Sequence, residues 1–100
     1  MNIVIVGTGY VGLVTGVGFA EQGHTVSFID LDSSKVEKLK NKQLPFFEPD
    51  LETYFSKKEN FNRMSFHSSY TLLTGINRRL YLYVFKLLTV SKQTLLIQNF

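Results

Sequence analysis

The chain has 100 residues and no cysteine, with 44% hydrophobic and 14% aromatic residues. This is the composition of a globular protein, and a chain of this length holds one domain with a small core. The absence of cysteine excludes disulfide bonds and a cysteine nucleophile, and it suits a reducing compartment such as the cytoplasm. The first residues do not resemble a signal peptide, and the longest apolar run, Leu80 to Val90, is too short to cross a bilayer.

The net charge of +3 conceals an uneven distribution. Residues 1–60 carry six basic and eight acidic residues, whereas residues 61–100 carry five basic and no acidic ones. A basic segment is one signal of nucleic-acid binding. Here the basic residues are scattered among apolar ones rather than gathered on one face, so we expect neither a nucleic-acid nor a membrane partner.

The first thirty residues predict a strand, a glycine-rich loop, a helix and a second strand. An apolar, β-branched run over Asn2–Val6 predicts a buried strand, and Thr25–Asp30 predicts another. The helix between them runs from about Tyr10 to Gln22 and ends at Gly23. We expect its face against the sheet to be formed by Val14, Val17 and Gly18. The loop before the helix has the sequence Gly7-Thr8-Gly9-Tyr10-Val11-Gly12.

This loop predicts a dinucleotide site because of its context. A lone glycine hexamer is a weak signal, but this one lies between a strand and a helix, with Asp30 eighteen positions after Gly12. Gly7 permits a sharp turn, Gly9 lets the backbone approach a pyrophosphate, and Gly12 lets the helix pack closely. The phosphates would meet free N–H groups at the positive end of the helix.

Asp30 would accept hydrogen bonds from the adenosine ribose hydroxyls. A carboxylate at this position also repels a 2′-phosphate, which favours NAD over NADP. The alternative interpretation is a strand–helix–strand turn whose glycines serve packing alone.

After the second strand, Asp32 or Ser33 is expected to cap a second helix, with Val36 and Leu39 facing the core. Lys35 lies at the start of this helix, beside the ribose end of the predicted site. Its ammonium group could bind the ribose or a phosphate there.

Two prolines four positions apart predict a fixed loop over Leu44–Leu51, with Phe46 and Phe47 covering the core. Asp50 is expected to cap a short helix from Leu51 to about Lys58.

The remaining residues give weaker signals. Arg63–His67 predicts a third strand with Met64 and Phe66 on one face, and residues 68–74 predict a short helix. Leu80–Phe85 is a further strand by propensity. Residues 91–100 have no clear period. The order of elements predicts a parallel sheet.

Four segments together resemble the beginning of the UDP-glucose/GDP-mannose dehydrogenases. The resemblance covers about residues 1–75, and it departs at Asp50, where the family usually has glycine. It implies an α/β fold, a partial Rossmann-type parallel sheet with flanking helices. The segments are Gly7–Leu13, Phe19–His24, Asp30–Lys35 and Leu44–Leu51.

The resemblance also implies a function. Family members use NAD in a two-step oxidation of the C6 alcohol of a nucleotide sugar, such as UDP-glucose, to a carboxylate. By matching positions, the loop Gly7–Gly12 would hold the pyrophosphate, and Asp30 and Lys35 would hold the adenosine ribose. The family's cysteine nucleophile and its supporting groups come later in the chain and have no counterpart here. We therefore assign no catalytic residue and no metal ligand, and the nucleotide sugar is a partner by resemblance only.

The resemblance predicts a boundary near residue 75. Residues 1–75 are expected to form the N-terminal part of an NAD-binding domain, and residues 76–100 a divergent tail that lacks the family's Val-x-Thr-Pro loop. Codons for Leu80–Thr89 can be chosen so that reading from the third base gives Ile-Phe-Ile-Cys-Val-Gln-Thr-Pro, a family-like strand and loop. We hypothesise that the chain is a truncated product whose tail is out of frame and which has no activity alone.

Two other interpretations stay open on the sequence. One is a non-catalytic fragment or module that binds a dinucleotide. The other is a different NAD enzyme, such as a hydroxyacid dehydrogenase, although nothing in generic dinucleotide binding requires the loop Leu44–Leu51.

Overall fold

The computed structural model describes residues 1–73, 81–86 and 95–99, with the side chains of residues 1–71. Strands and helices alternate along most of this part of the chain. The elements are β1 (Asn2–Val6), α1 (Tyr10–Glu21), β2 (Thr25–Ile29), α2 (Ser33–Lys40), α3 (Pro49–Phe55), α4 (Lys58–Asn62), β3 (Met64–His67), a 3₁₀ helix (Tyr70–Leu73), β4 (Tyr81–Lys86) and β5 (Leu95–Asn99).

The strands form one sheet in the order β3-β2-β1-β4-β5. Strands β1 to β4 are parallel, and Ile5 of β1 is in register with Phe28 of β2 on one side and Val84 of β4 on the other. The predicted α/β fold with a parallel sheet and flanking helices is therefore confirmed for these four strands.

Strand β5 departs from the prediction, since it runs antiparallel to β4 and lies in a segment where no element was expected. Only residues 87–94 separate the two strands. A parallel neighbour needs a crossover of a dozen or more residues, whereas an antiparallel neighbour does not. The short connection therefore explains the direction of β5.

The face of α1 against the sheet also differs from the prediction. Val17 is buried as expected, but Val14 is 40% exposed and Gly18 is exposed. A Cβ on Gly16 would lie 2.2 Å from Cζ of Phe28, whereas a Cβ on Gly18 would have no atom within 4 Å. The helix thus approaches β2 through glycine rather than through its bulkier side chains. The buried residues of α1 are Gly12, Leu13, Gly16, Val17 and Ala20.

Aromatic side chains fill the core between the sheet and the helices. The rings of Phe28 and Phe66 stack with their centroids 5.2 Å apart. Phe55 of α3 meets Phe66 edge-on at 6.0 Å and Phe61 at 5.6 Å. Met64 and Phe66 are both buried, as predicted for one face of β3.

The second helix follows its prediction. Asp32 is the N-cap of α2, and its carboxylate accepts from the backbone N–H groups of Ser34 and Lys35. Val36 and Leu39 are buried.

The proline-containing segment departs from its prediction at two residues. Phe46 packs against the core, but Phe47 is 90% exposed and covers nothing. Helix α3 begins at Pro49, with Glu48 as N-cap, so Asp50 lies inside the first turn and does not cap it. Proline suits the first helical position because the N–H that it lacks would have no partner there.

No helix in the described part of the chain is long and apolar enough to span a membrane.

Candidate cofactor site

The glycine-rich loop leaves β1 at the point where the sheet changes its winding direction. The chain proceeds from β1 to β2 and β3 on one side and places β4 on the other side. In open parallel sheets, ligands bind in the crevice outside the carboxyl ends of the strands at such a switch point. The topology thus puts the predicted loop where a dinucleotide is normally held.

Gly7 makes the turn out of β1. Its φ angle of 100° lies in the region that favours glycine. Its N–H donates to the carbonyl oxygen of Ile29 at 2.7 Å, which continues the β1–β2 pairing beyond the last residue of the strand. The turn is therefore anchored to the end of β2, where the predicted acidic residue stands.

The N-terminus of α1 is open. Gly9 is the N-cap, and no side chain in the described residues caps the helix. The first helical hydrogen bond runs from the Leu13 N–H to the Gly9 carbonyl oxygen at 3.0 Å. The preceding N–H groups at the helix start have no intrahelical partner, and they carry the positive end of the helix dipole. An anionic group can be bound there.

Gly12 is the residue that brings the helix start onto the loop. A Cβ at this position would lie 2.1 Å from the carbonyl oxygen of Gly7, a distance that no real Cβ contact reaches. Any other side chain would have to move the backbone of the loop. This contact fits the role predicted for the third glycine of a dinucleotide loop, so the residues present suit NAD.

Tyr10 and Val11 occupy the first turn of α1 and are 55% and 40% exposed. The Tyr10 ring lies 5.7 Å from that of Phe46, measured between centroids. Both residues of the predicted site therefore face outward at the helix start, with Tyr10 against the proline-containing loop.

Asp30 lies directly beside the loop, one residue after β2. Its Oδ2 accepts from the Thr8 N–H at 2.9 Å and from the Thr8 hydroxyl at 2.6 Å. Its Oδ1 accepts from the Asp32 N–H at 2.9 Å. Partial burial opposes ionisation of Asp30, but these hydrogen bonds and the charge of Lys35 outweigh it and lower the pKa of the carboxyl. The structure thus brings together two residues of the predicted site that are 22 positions apart.

Lys35 is half-buried in the first turn of α2. Its charge favours the ionised form of Asp30, but among the described residues only Lys57 and Glu21 form a close ion pair. The Lys35 ammonium is therefore not held against the Asp30 carboxylate.

The side chains of residues 1–71 include no group of three or more His, Asp or Glu residues that could hold a metal ion.

Comparison with known proteins agrees with this geometry. The model of the UDP-glucose/GDP-mannose dehydrogenase family, NAD binding domain, matches residues 1–75. The chain belongs to this family. The resemblance predicted from the sequence is confirmed, and NAD is the cofactor of the domain that is matched.

Curated relatives in this family are much longer than the chain. UDP-glucose 6-dehydrogenase YwqF of Bacillus subtilis (strain 168) is 47% identical over 70 residues, which are 70% of this chain and 16% of that protein. UDP-glucose 6-dehydrogenase of Rickettsia bellii (strain RML369-C) is 43% identical over 70 residues, with the same coverage. The chain therefore spans about a sixth of the length of these relatives.

Solved structures of family members share the fold. A UDP-glucose dehydrogenase from Pyrobaculum islandicum aligns with a TM-score of 0.62 and 38% identity, over 68% of this chain and 16% of that one. A GDP-mannose dehydrogenase from Pseudomonas aeruginosa, solved as a ternary complex, aligns with a TM-score of 0.64 and 31% identity, over 70% and 16%.

The sequence did not indicate what Thr8 does. As a member of the glycine loop it was expected to hold the pyrophosphate, but its N–H and its hydroxyl both donate to Asp30. Its burial, with 1% of the residue exposed, is also unexpected for a polar loop residue. The only signal was the pairing of a hydroxyl residue in the loop with an acid at the end of the next strand.

Proposed function

We propose that this chain forms the adenosine- and pyrophosphate-binding half of the NAD site of a UDP-glucose 6-dehydrogenase, which oxidises UDP-glucose to UDP-glucuronate. The observation that carries the proposal is the contact between the glycine loop and Asp30, with Oδ2 of Asp30 2.9 Å from the Thr8 backbone nitrogen. It places an anionic hydrogen-bond acceptor beside a helix start that attracts phosphate.

The proposed roles follow from the chemistry of these residues. The N–H groups at the start of α1 bind the pyrophosphate, and the closeness of Gly12 to Gly7 keeps them at the end of β1. The Asp30 carboxylate accepts from a ribose hydroxyl and repels a 2′-phosphate. Lys35 supports the ribose from the first turn of α2. The chemistry that NAD supplies in such an enzyme is the acceptance of hydride from the sugar.

The 100-residue chain has no dehydrogenase activity of its own under this proposal. It contains no cysteine, so it does not provide the thiol that the family resemblance implies for the second oxidation. We also propose that the protein lies in the cytoplasm, because a chain without cysteine suits a reducing compartment.

Titration with NAD tests the proposal. We expect saturable binding to the purified chain, and at least about tenfold weaker binding to Asp30→Ala, since a hydrogen bond to a charged group contributes about 1.5–3 kcal/mol. Glu59→Ala is the matched control, because it removes an exposed carboxylate in the first turn of α4. Absence of saturable binding in a folded sample, or equal binding by Asp30→Ala, would overturn the proposal.

A second candidate is a dinucleotide-binding fragment or module without catalysis, and the short span of the family match favours it. The first candidate explains the same span by a frameshift. The family model ends at residue 75, and we propose that residues 76–100 are translated out of frame. The coding DNA separates the two candidates. Dehydrogenase sequence with a cysteine nucleophile in another frame supports a broken enzyme, whereas its absence from every downstream frame would remove the frameshift and favour the module.

A further inference from the structure

The hydrogen bonds of Asp30 leave its two carboxylate oxygens in different states. Oδ2 accepts twice from Thr8, through the hydroxyl at 2.6 Å and the N–H at 2.9 Å. Oδ1 accepts once, from the N–H of Asp32. A carboxylate has about four acceptor positions, two on each oxygen. Donors from the described residues occupy three of them, so the fourth, on Oδ1, is the one that this part of the chain leaves open to a ligand.

Thr8 is well placed to fix this orientation. It is 1% exposed, so its hydroxyl is shielded from water, and the short distance to Oδ2 is that of a hydrogen bond to an ionised acceptor. The N–H and the hydroxyl of Thr8 both donate to Oδ2 of Asp30. Rotation of the carboxylate would break both bonds and leave the buried hydroxyl without this acceptor, which is costly.

From this geometry we infer that Thr8 is a specificity-determining positioning residue, which holds Asp30 so that only Oδ1 meets the adenosine ribose. The inference rests on the proposed NAD site and assigns a role within it. The ribose receives one acceptor from Asp30, and its second hydroxyl is met by another donor or acceptor, with Lys35, the first basic residue after Asp30, as the candidate.

The role predicts cofactor selectivity. A carboxylate that is ionised and held in one orientation cannot turn away from a 2′-phosphate, so it repels NADP with its full charge. When the Thr8 hydroxyl is removed, the Asp30 carboxylate can rotate toward solvent. Affinity for NAD then falls because the acceptor is no longer oriented, and the penalty against NADP falls with it.

Thr8→Val and Thr8→Ser test the inference in the whole chain. Valine keeps the branched shape and loses the hydroxyl, whereas serine keeps the hydroxyl. We expect Thr8→Val to bind NAD about tenfold more weakly and to lose at least fivefold of the NAD-over-NADP preference, as expected for loss of a hydrogen bond to a charged group. Thr8→Ser should stay within about twofold of the original chain in both measurements.

A measurement on the ligand-free chain complements the binding experiment. The carbon resonance of the Asp30 carboxyl, followed by NMR against pH, should titrate at higher pH in Thr8→Val than in the original chain or Thr8→Ser, because a donor to the ionised form has been lost. If Thr8→Val does not fold, the original chain answers the question. A slowly exchanging Thr8 hydroxyl proton supports the hydrogen bond to Asp30, and a freely exchanging one overturns the inference.

The failures of the two proposals are distinguishable. If the original chain binds NAD but Thr8→Val keeps the same selectivity and the same Asp30 titration, the inference about Thr8 is wrong and the proposed function stands. If the original chain does not bind NAD, the proposed function falls, and the selectivity role of Thr8 falls with it.

Discussion

Strands β2 and β4 flank β1 on its two sides in the same parallel register, yet they are specified in different ways. β2 is joined to β1 by α1, its Phe28 meets Gly16 of that helix, and Asp30 follows it at the site. β4 pairs with all five residues of β1, although the family match ends before it, at residue 75. A segment can join a sheet as a parallel strand if its residues have β-propensity and the sheet has an unpaired edge strand. The proposed cofactor site requires particular residues, and these are the glycine loop after β1 and Asp30 after β2.

The largest effect that we expect concerns β4. Val84→Pro removes an N–H from the middle of a strand with a neighbour on either side, and the ring interferes with pairing. We expect the free energy of unfolding to fall by about 2–3 kcal/mol, because backbone groups of the sheet lose their hydrogen-bond partners. Urea denaturation measures this, with Val84→Ile as a control that keeps both the N–H and β-branching. Equal stability of the proline variant would mean that β4 adds nothing to the sheet in solution.

The second prediction tests the specificity of the β2 side. Gly16→Ala places a methyl group against the Phe28 ring, and such overpacking typically costs about 1–3 kcal/mol. Gly18→Ala, two positions along the same helix, meets nothing within 4 Å. It should stabilise the chain by up to about 1 kcal/mol through helix propensity. Thermal unfolding of both variants should therefore shift in opposite directions, and shifts of the same sign would contradict the packing of α1 on β2.

The smallest effect that we expect is a loss of stability in acid. Burial and the charge of Lys40 lower the pKa of His67 from its ordinary 6.5. The hydrogen bonds to Asp30 lower the pKa of its carboxyl from 3.8 against the opposing effect of burial. In both cases the unfolded chain binds more protons than the folded chain, so stability falls as the pH falls. The His67 contribution is lost below about pH 6.5 and the Asp30 contribution below about pH 4.

Urea denaturation at pH 7.5, 5 and 3 measures this dependence. His67→Asn should flatten the curve between pH 7.5 and 5, and Asp30→Asn should flatten it below pH 4. Both changes should be modest, since the two groups are partly solvated. A pH dependence that neither substitution alters would show that other groups are responsible.

The local elements could be predicted because their signals lie within a few residues. β1, α1, β2, α2 and β3 follow from apolar patterns, a helix cap at Asp32 and a glycine at the end of α1. The glycine loop and Asp30 were identified by spacing, which reflects the short reach from the end of one strand to the end of the next.

Two of the mistaken predictions concern contacts across the fold. Val14 and Gly18 were expected to face the sheet, but Gly16 faces it because Phe28 fills the space opposite. Phe47 was expected to cover the core, yet its neighbour Phe46 reaches the core and Phe47 points to solvent. Periodicity along one segment does not indicate the shape of the segment that packs on it.

The sequence by itself determined the family, the order of the first elements and the composition of the cofactor loop, because each depends on local backbone requirements and short spacings. The tertiary structure alone decided that Thr8 turns both of its donors toward Asp30, and that Oδ1 of that carboxylate accepts only one hydrogen bond from the described residues. Residues 22 positions apart meet only when β1 and β2 pair in register. The glycine loop is thus recognisable from its sequence, but the selectivity that we propose for it depends on the strand that lies beside it.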